Sequence, residues 1–480
     1  MINPARKSYR HHQVNSNTNK RVRRKVKKEQ LISSPLENDD KDLTPHQRRR
    51  GLDSMVSIVL LLCSGSLIAM FGWLSMLFIC NPDQLSWLNR ILPEWAKISL
   101  SHGEISQTIP QIESYLRDHG KIAGEIVSLD GESKKSFLLP VLQERENCQL
   151  NCKYIVEMRV YQQSINSKLK SESELSYDLA TQLPISGPEE SFVLAPLGDT
   201  TDDNQDPLPL TKVGRFEGGT PSPGLWFYLQ GQRQQGTNAI AYGHILHYNP
   251  QQTNLRLMLS WTSPKGQLPE WQSITGKAKQ LVVNQTIGLE PRLHIYQVKP
   301  VNPIQLEEIS LTPPALKDSA YQNALLIARS GLWTPAFNWL EFMKTQRQQP
   351  FPATAQAQID LIHLHSQLTK IQADKSWASP SQQVLANLID GRWEKALQVF
   401  EASPDNAQEI TTLLKADTGR LWNRVEAALK VKPNRSEVKA WGALILAAKF
   451  GQERANSWIK NQEGALSREQ GSRGVDIYGR

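Results

Sequence analysis

Two pairs of closely spaced histidines are the residues whose type could bind a metal ion or transfer a proton. His244 and His247 are three residues apart in a strand-like run, so their side chains should point to opposite faces. His363 and His365 are two apart in a helical stretch and diverge as well. Asp360, which lies nearby, does not turn the second pair into a metal site. We therefore predict no metal site and no cofactor.

Sequence motifs of the common enzyme classes do not occur in this chain. The sequence has no phosphate-cradling glycine loop, no Gly-x-Ser-x-Gly elbow and no His-Glu-x-x-His motif. The paired carboxylates Glu189-Glu190 and Glu307-Glu308 fall at loop or strand edges, where solvated charge is the expected role. The sequence therefore predicts a protein that is not an enzyme. A hydrolase in the β-rich segment stays open, because carboxylate-based hydrolases leave little trace in one sequence.

The cysteines offer one candidate disulfide. Cys148 and Cys152 lie in the segment that we expect to be exported, and an oxidising compartment favours a bond between them. The alternative is a pair of reduced, partly buried thiols. Zinc is not expected, since two cysteines without a second ligand pair do not complete a tetrahedral site.

Residues 120–311 have the composition of a β-domain. Short runs rich in β-branched and aromatic residues alternate with turn residues such as Gly218-Gly219. The clearest predicted strands are Tyr154–Tyr161, Ser191–Leu197, Leu225–Leu229, Ala239–Tyr248, Leu255–Trp261, Leu281–Ile287 and Arg292–Lys299. Several short strands without intervening helices predict a β-sandwich or a partly open barrel.

Three aromatic residues of this β-rich segment, Trp226, Tyr228 and Trp261, are candidates for contact with a glycan. Flat exposed rings can stack on sugars, which would suit a glycan- or peptidoglycan-binding envelope protein. Neighbouring strand residues point to opposite faces, so Phe227 should face away from Trp226 and Tyr228. The alternative is that alternate rings fill the core of the β-domain.

From residue 312 onward the sequence becomes helical in character and contains a recurring motif. The spacing Gly-x-Trp-x-x-Ala occurs twice, and the ends of further units follow it. The residues concerned are Gly331, Trp333, Ala336, Gly391, Trp393, Ala396, Phe400, Ala428 and Pro433. In these residues the segment 312–462 resembles the tetratricopeptide repeat family.

The resemblance implies roles for these residues and for the segment. The glycine would allow a tight turn between two helices, the tryptophan would pack between them, and the alanine would let them approach. Stacked helical hairpins of this kind form a curved surface that binds peptides or protein partners. The family resemblance thus implies a scaffolding role. The alternative is a short helical array that only packs on the β-domain.

An uncharged run of 26 residues, Met55–Cys80, is long enough to cross a membrane. A helix rises about 1.5 Å per residue, so the run would span roughly 39 Å, against ~30 Å for the hydrocarbon core. Arg48, Arg49 and Arg50 precede the run, whereas the first basic residue after it is Arg90. This asymmetry predicts a cytoplasmic N-terminus and an exported remainder.

The positive charge of the chain is concentrated at its N-terminus. Residues 1–54 hold 14 basic and 6 acidic residues, so the net charge of +8 belongs to this segment alone. Its low apolar content predicts a disordered tail that contacts anionic membrane lipids, and nucleic acid is not an expected partner. Within the apolar run, Gly65 and Ala69 are four residues apart, which leaves a homodimer open.

The predicted fold class is therefore a multidomain α+β membrane protein with a single N-terminal transmembrane helix. The predicted segments are a basic cytoplasmic tail (1–54), the transmembrane helix (55–80), a juxtamembrane interfacial segment (81–119), an exported sandwich-like β-domain (120–311), an α-solenoid (312–462) and a flexible tail (463–480). The predicted function is a membrane-anchored, non-catalytic scaffold or assembly factor of bacterial type. It would bind protein partners outside the cytoplasm, in a periplasm or lumen.

Overall fold

The computed structural model describes residues 106–131, 135–145, 152–164, 175–198, 206–236, 238–274, 278–347 and 349–462. All of them belong to the second of two compact units into which the chain divides, Ser99–Arg480. This part of the chain has a mixed α+β fold in which a β-region is followed by C-terminal helices.

The β-region consists of antiparallel sheets. The first sheet has the order β1-β3-β4-β5, with β2 also paired to β3; the second runs β6 to β9 and the third runs β10 to β13 in sequence order. The strands are β1 (Ile122–Ala123), β2 (Val127–Ser128), β3 (Ser136–Glu144), β4 (Lys153–Gln163), β5 (Tyr177–Pro184), β6 (Lys212–Arg215), β7 (Leu225–Gln235), β8 (Asn238–Asn249), β9 (Asn254–Ser263), β10 (Glu270–Gln272), β11 (Gln280–Asn284), β12 (Leu293–Lys299) and β13 (Gln305–Glu308).

Two short helices accompany these strands. Helix α1 (Ile109–Asp118) precedes the first sheet, and α2 (Glu190–Leu194) runs into a 3-10 turn, Ala195–Leu197. The segment Ser191–Leu197, which we predicted as a strand, is thus helical. A short apolar run does not distinguish a strand from a buried helical turn, which explains the wrong prediction.

The sheets form successive layers that share cores, because side chains along each strand alternate between two faces. Helix α1 packs on the first sheet around Phe137 and Tyr161. The first and second sheets enclose a core that contains Phe227, and the second and third enclose one around Trp226. The third sheet then packs against the helices through residues such as Ile295. Three stacked sheets thus replace the sandwich or barrel that the sequence predicted.

The C-terminal region contains several consecutive helices and loosely fits helical repeats. They are α3 (Ser319–Arg329), α4 (Trp333–Gln346), α5 (Ala353–Asp374), α6 (Pro380–Asp390), α7 (Trp393–Glu401), α8 (Pro404–Ala416), α9 (Arg420–Val431) and α10 (Ser436–Phe450), followed by helical residues 452–462, here α11. Several of these helices begin with a capping residue, whose side chain accepts a hydrogen bond from a backbone N–H group of the first turn. Asp318, Ser379 and Ser403 cap α3, α6 and α8 in this way.

The helices do not continue as an open array, because α9 packs back against α3. A Cβ atom added to Gly331, just after α3, would lie 2.6 Å from Nη2 of Arg424 in α9. The same guanidinium is paired with Glu290, in the loop between β11 and β12, at 2.5 Å. Helix α9 therefore joins the start of the helical region to the third sheet.

The prediction of a single-pass membrane fold is wrong for this structure. No helix in the described ranges is long and apolar enough to cross a bilayer. Helix α5 has 22 residues, but Asp360, Lys370 and Asp374 interrupt its apolar surface. The run Met55–Cys80, which we predicted as the anchor, lies outside the described residues. The fold class is corrected to mixed α+β, and the membrane localisation built on the anchor is corrected with it.

Candidate functional site

A cleft of about 780 Å³ opens between α4, the turn from α6 to α7, and the end of α9. Its apolar lining includes Leu332, Trp339, Phe342 and Val431. Phe342 is 64% exposed, which is unusual for a phenylalanine in a well-packed helix. A volume of this size and an apolar surface are typical of sites that bind a ligand or a peptide side chain.

Two glycines that the sequence motif singled out form turns at the cleft, and one of them, Gly391, is part of its lining. Gly391 has φ +78, and a Cβ atom there would lie 2.5 Å from Cγ of Pro335. Gly331 has φ +90 and meets Arg424 in the same manner. Both positions have a backbone conformation that suits glycine. At Gly391 the close neighbour is the proline ring of Pro335, and at Gly331 it is the end of the Arg424 side chain. These turns bring α4, α7 and α9 to one side of the helical region.

A buried carboxylate fixes the helices around the cleft. Asp390 is 1% exposed. Its Oδ1 atom accepts hydrogen bonds from the hydroxyls of Thr334 (2.5 Å) and Thr369 (2.7 Å), and its Oδ2 atom accepts from Nε of Arg392 (2.6 Å). Arg392 also donates to Asp374 at 2.5 Å and thereby lowers the pKa of that carboxyl. Both oxygens of Asp390 thus accept hydrogen bonds, which suits a structural tie between α4, α5 and α6.

The other motif residues lie mostly in the helical core. Trp393 is 2% exposed, and its carbonyl accepts from Nε1 of Trp441 at 3.0 Å. Ala336 and Ala396 are fully buried, Ala428 is buried, and Phe400 is half-buried with its ring 6.0 Å from that of Trp441. Pro433 is exposed after α9.

Trp333, the remaining motif residue, lies at the contact between α5 and the third sheet. Its ring stacks on that of His365, with 3.9 Å between the centroids. Nε2 of His365 accepts from the N–H of Leu293 (3.1 Å), and its Nδ1 lies 2.9 Å from the carbonyl of Leu361, so Nδ1 carries the proton. Burial lowers the pKa of His365 to about 4. This histidine is a neutral structural link between the β-region and the helices.

His244 and His247 point apart, as their spacing in a strand predicted, whereas both histidines of α5 contact aromatic rings of α4. The ring of His363 lies 4.4 Å from that of Phe337, one helical turn from Trp333, and His363 bonds to Gln367. His244 reaches the carbonyl of Ser186, whereas the ring of His247 lies against that of Trp226 on the other face of β8. Burial lowers the pKa of both His244 and His247. Across the described residues, no group of three or more His, Cys, Asp or Glu side chains is placed to hold a metal ion.

The candidate glycan-contact residues lie inside the β-region or at its margin. Trp226 and Trp261 are each 1% exposed, in the core between the second and third sheets. Tyr228 is half-buried against Phe216, and Phe227 faces the opposite core. The two tryptophan rings therefore offer no free face for stacking on a sugar.

The remaining candidates have mixed surroundings. Glu307 pairs with Lys299 at 2.6 Å at an exposed edge, as expected for solvated charge. Glu190, which we also expected to be solvated, is instead buried at the start of α2 and paired with Arg233. A helix N-terminus and a cation both stabilise a carboxylate there.

Cys152 is half-buried, and Cys148 lies outside the described residues, so the disulfide stays a prediction.

The sequence interpretation named Gly391, Trp393 and Ala428, which line the cleft, but it missed the exposed aromatic residues of α4. Trp339 and Phe342 are three residues apart and share a face of α4 that differs from its buried face, which contains Ala336 and Leu340. A second apolar stripe on one helix is a signal that could have been found from the 3.6-residue period. No protein-family model matches the sequence, and a search of curated proteins finds none that matches it.

Proposed function

We propose that this protein is a non-catalytic scaffold that binds a partner protein in the cleft between α4, α7 and α9. The observation that carries the proposal is the exposed ring of Phe342 beside Trp339, at the edge of an apolar cleft. Exposed aromatic side chains in a concave apolar site are the usual anchors for a partner's side chains.

The repeat motifs support the same proposal. The two Gly-x-Trp-x-x-Ala units resemble tetratricopeptide repeats, in which helical hairpins bind peptides. Here Gly391 lines the cleft, and Leu332, which follows Gly331, lines it as well, so the turns of the motif contribute to the proposed binding surface. The three stacked sheets would serve as a rigid support for the helices.

A display library of random peptides, selected against the full chain, tests this proposal. Affinities of the selected peptides are then measured by fluorescence anisotropy for the wild type, Phe342→Asp and Phe450→Asp. Phe450 is a matched control because it is 68% exposed and lies outside the cleft.

We expect Phe342→Asp to weaken binding at least tenfold, since removing a central aromatic anchor commonly costs 2 kcal/mol or more, roughly a factor of 30. Phe450→Asp should bind as the wild type does. Thermal unfolding of both variants checks that each is folded. The proposal is refuted if no peptide is selected, or if the selected peptides bind both variants equally well.

A further inference from the structure

The lining of the cleft carries an excess of positive charge. Its basic residues are Lys370, Arg392, Lys432 and Arg435, and its one acidic residue is Asp390. Asp390 is already saturated by two threonine hydroxyls and Arg392. The apolar floor of the cleft is therefore bordered by cations whose charge the lining itself does not balance.

Two of these four cations are paired with neighbouring carboxylates. Arg392 contacts Asp374 and Asp390, and Arg435 contacts Glu437 at 3.4 Å. In the described part of the chain, neither Lys370 nor Lys432 has an ion-pair partner. Nζ of Lys370 lies 5.7 Å from the ring centre of Phe337, and Nζ of Lys432 lies 5.9 Å from that of Trp339. Contact with a ring holds an ammonium in place without neutralising it.

The cleft thus combines an apolar surface with two positioned ammonium groups. Low-dielectric walls strengthen the field of charges inside a cleft, which attracts a ligand of opposite sign. The basic segment 1–54 of this chain has the wrong charge to be that ligand. A segment with carboxylates on either side of a bulky apolar side chain would satisfy both features.

We propose that the occupant of the cleft is an acidic peptide segment of a partner protein that carries a central aromatic or large aliphatic residue. Its apolar side chain packs on Trp339 and Phe342, and its carboxylates pair with Lys370 and Lys432. This inference rests on the proposed peptide-binding function and names the chemistry of the partner.

Three fluorescent peptides of equal length distinguish this chemistry from peptide binding in general. Each carries the same central Phe-Leu pair, and the flanking positions are all glutamate, all glutamine or all lysine. The full chain is compared with Lys432→Glu, Lys370→Glu and the control Lys415→Glu. Lys415 is exposed on α8 and lies outside the cleft.

We expect the glutamate peptide to bind at least tenfold more tightly than the glutamine peptide, and the lysine peptide to bind most weakly. Each cleft variant should weaken the glutamate peptide about fivefold or more and improve the lysine peptide, while Lys415→Glu changes neither. Raising the salt to about 1 M, where the Debye length is ~3 Å, should remove most of the preference.

Three other outcomes overturn the inference for different reasons. Equal affinities for the three peptides, all lost in Phe342→Asp, would leave a peptide-binding cleft without charge selection. Self-association of the protein that Phe342→Asp abolishes would instead make a second copy of the chain the occupant. Failure of all three peptides, together with an empty library selection, would remove the peptide-binding function itself.

Discussion

Replacement of His365 by glutamine should change how the stability of the protein depends on pH. His365 is 3% exposed, and burial lowers its pKa from 6.5 to about 4 in the folded protein. Its Nε2 atom accepts a hydrogen bond from the backbone N–H of Leu293 and therefore carries no proton of its own. A glutamine can accept the same hydrogen bond through its side-chain oxygen but does not titrate.

The sign and size of the effect follow from linkage. Between pH 6.5 and pH 4 the unfolded chain binds a proton at His365 that the folded protein rejects. The stability contributed by neutral His365 is therefore present above pH 6.5 and is lost as the pH falls through 4. With these two pKa values, the free energy of unfolding should fall by about 2 kcal/mol between pH 7.5 and pH 5 on account of this residue alone.

Urea unfolding of the wild type and His365→Gln at a series of pH values measures this difference. Other groups, including His244 and His247, titrate in both proteins and cancel in the comparison. We expect the variant to be less stable than the wild type at pH 7.5, because it loses the stacking on Trp333. The difference in free energy of unfolding between the two proteins should then be smaller by about 2 kcal/mol at pH 5. Parallel stability curves over this range would refute the assignment of His365 as a buried, neutral link.

Three further predictions concern the helical region and the cysteine pair. Trp393→Ala should leave a cavity and lower the free energy of unfolding of the full chain by about 3–5 kcal/mol; an unchanged thermal midpoint would contradict its place in the core. Gly391→Ala should cost about 1–3 kcal/mol more than Gly198→Ala, because both glycines have φ near +78 but only the former would meet a neighbouring atom within 4 Å. Non-reduced peptide mapping should find Cys148 joined to Cys152, and alkylation of both thiols without reduction would exclude the bond.

The sequence predicted the local elements of the fold better than their arrangement. Runs rich in β-branched and aromatic residues predicted β4, β8 and β9 within about two residues of their observed bounds, and the start but not the end of β7. The alternation of side chains also predicted that Phe227 faces away from its neighbours, because a strand has a fixed two-residue period. The alternation could not show that both faces of the second sheet would be covered. A third sheet packs on it through residues such as Leu281 and Val283, which lie far along the chain from Trp226, the residue that they help to bury.

The candidate site illustrates the same limit more sharply. Gly391 and Trp393 could be recognised because a helical turn and the ring that packs behind it are local features. The cleft is not local, since Phe342 lies on α4, Lys370 on α5 and Lys432 just after the end of α9. These residues come together because α9 packs against α3, and no periodicity in the sequence predicts that contact. Lysines on exposed helix faces are common, so their convergence was visible only in three dimensions.

The closure of the helical region explains why the cleft has a defined shape. Arg424 is 2% exposed and contacts Glu290 through Nη2, but its Nε and Nη1 atoms have no hydrogen-bond partner among the described residues. A buried guanidinium that is only partly paired does not stabilise a fold by itself. The contact must therefore be maintained by the apolar residues beside it on α9, Val425 and Leu429, which belong to the same core as Trp393. This core holds α9 against α3 through contacts within the chain, so under the proposed function the peptide would not have to supply the free energy of assembling the walls of the cleft.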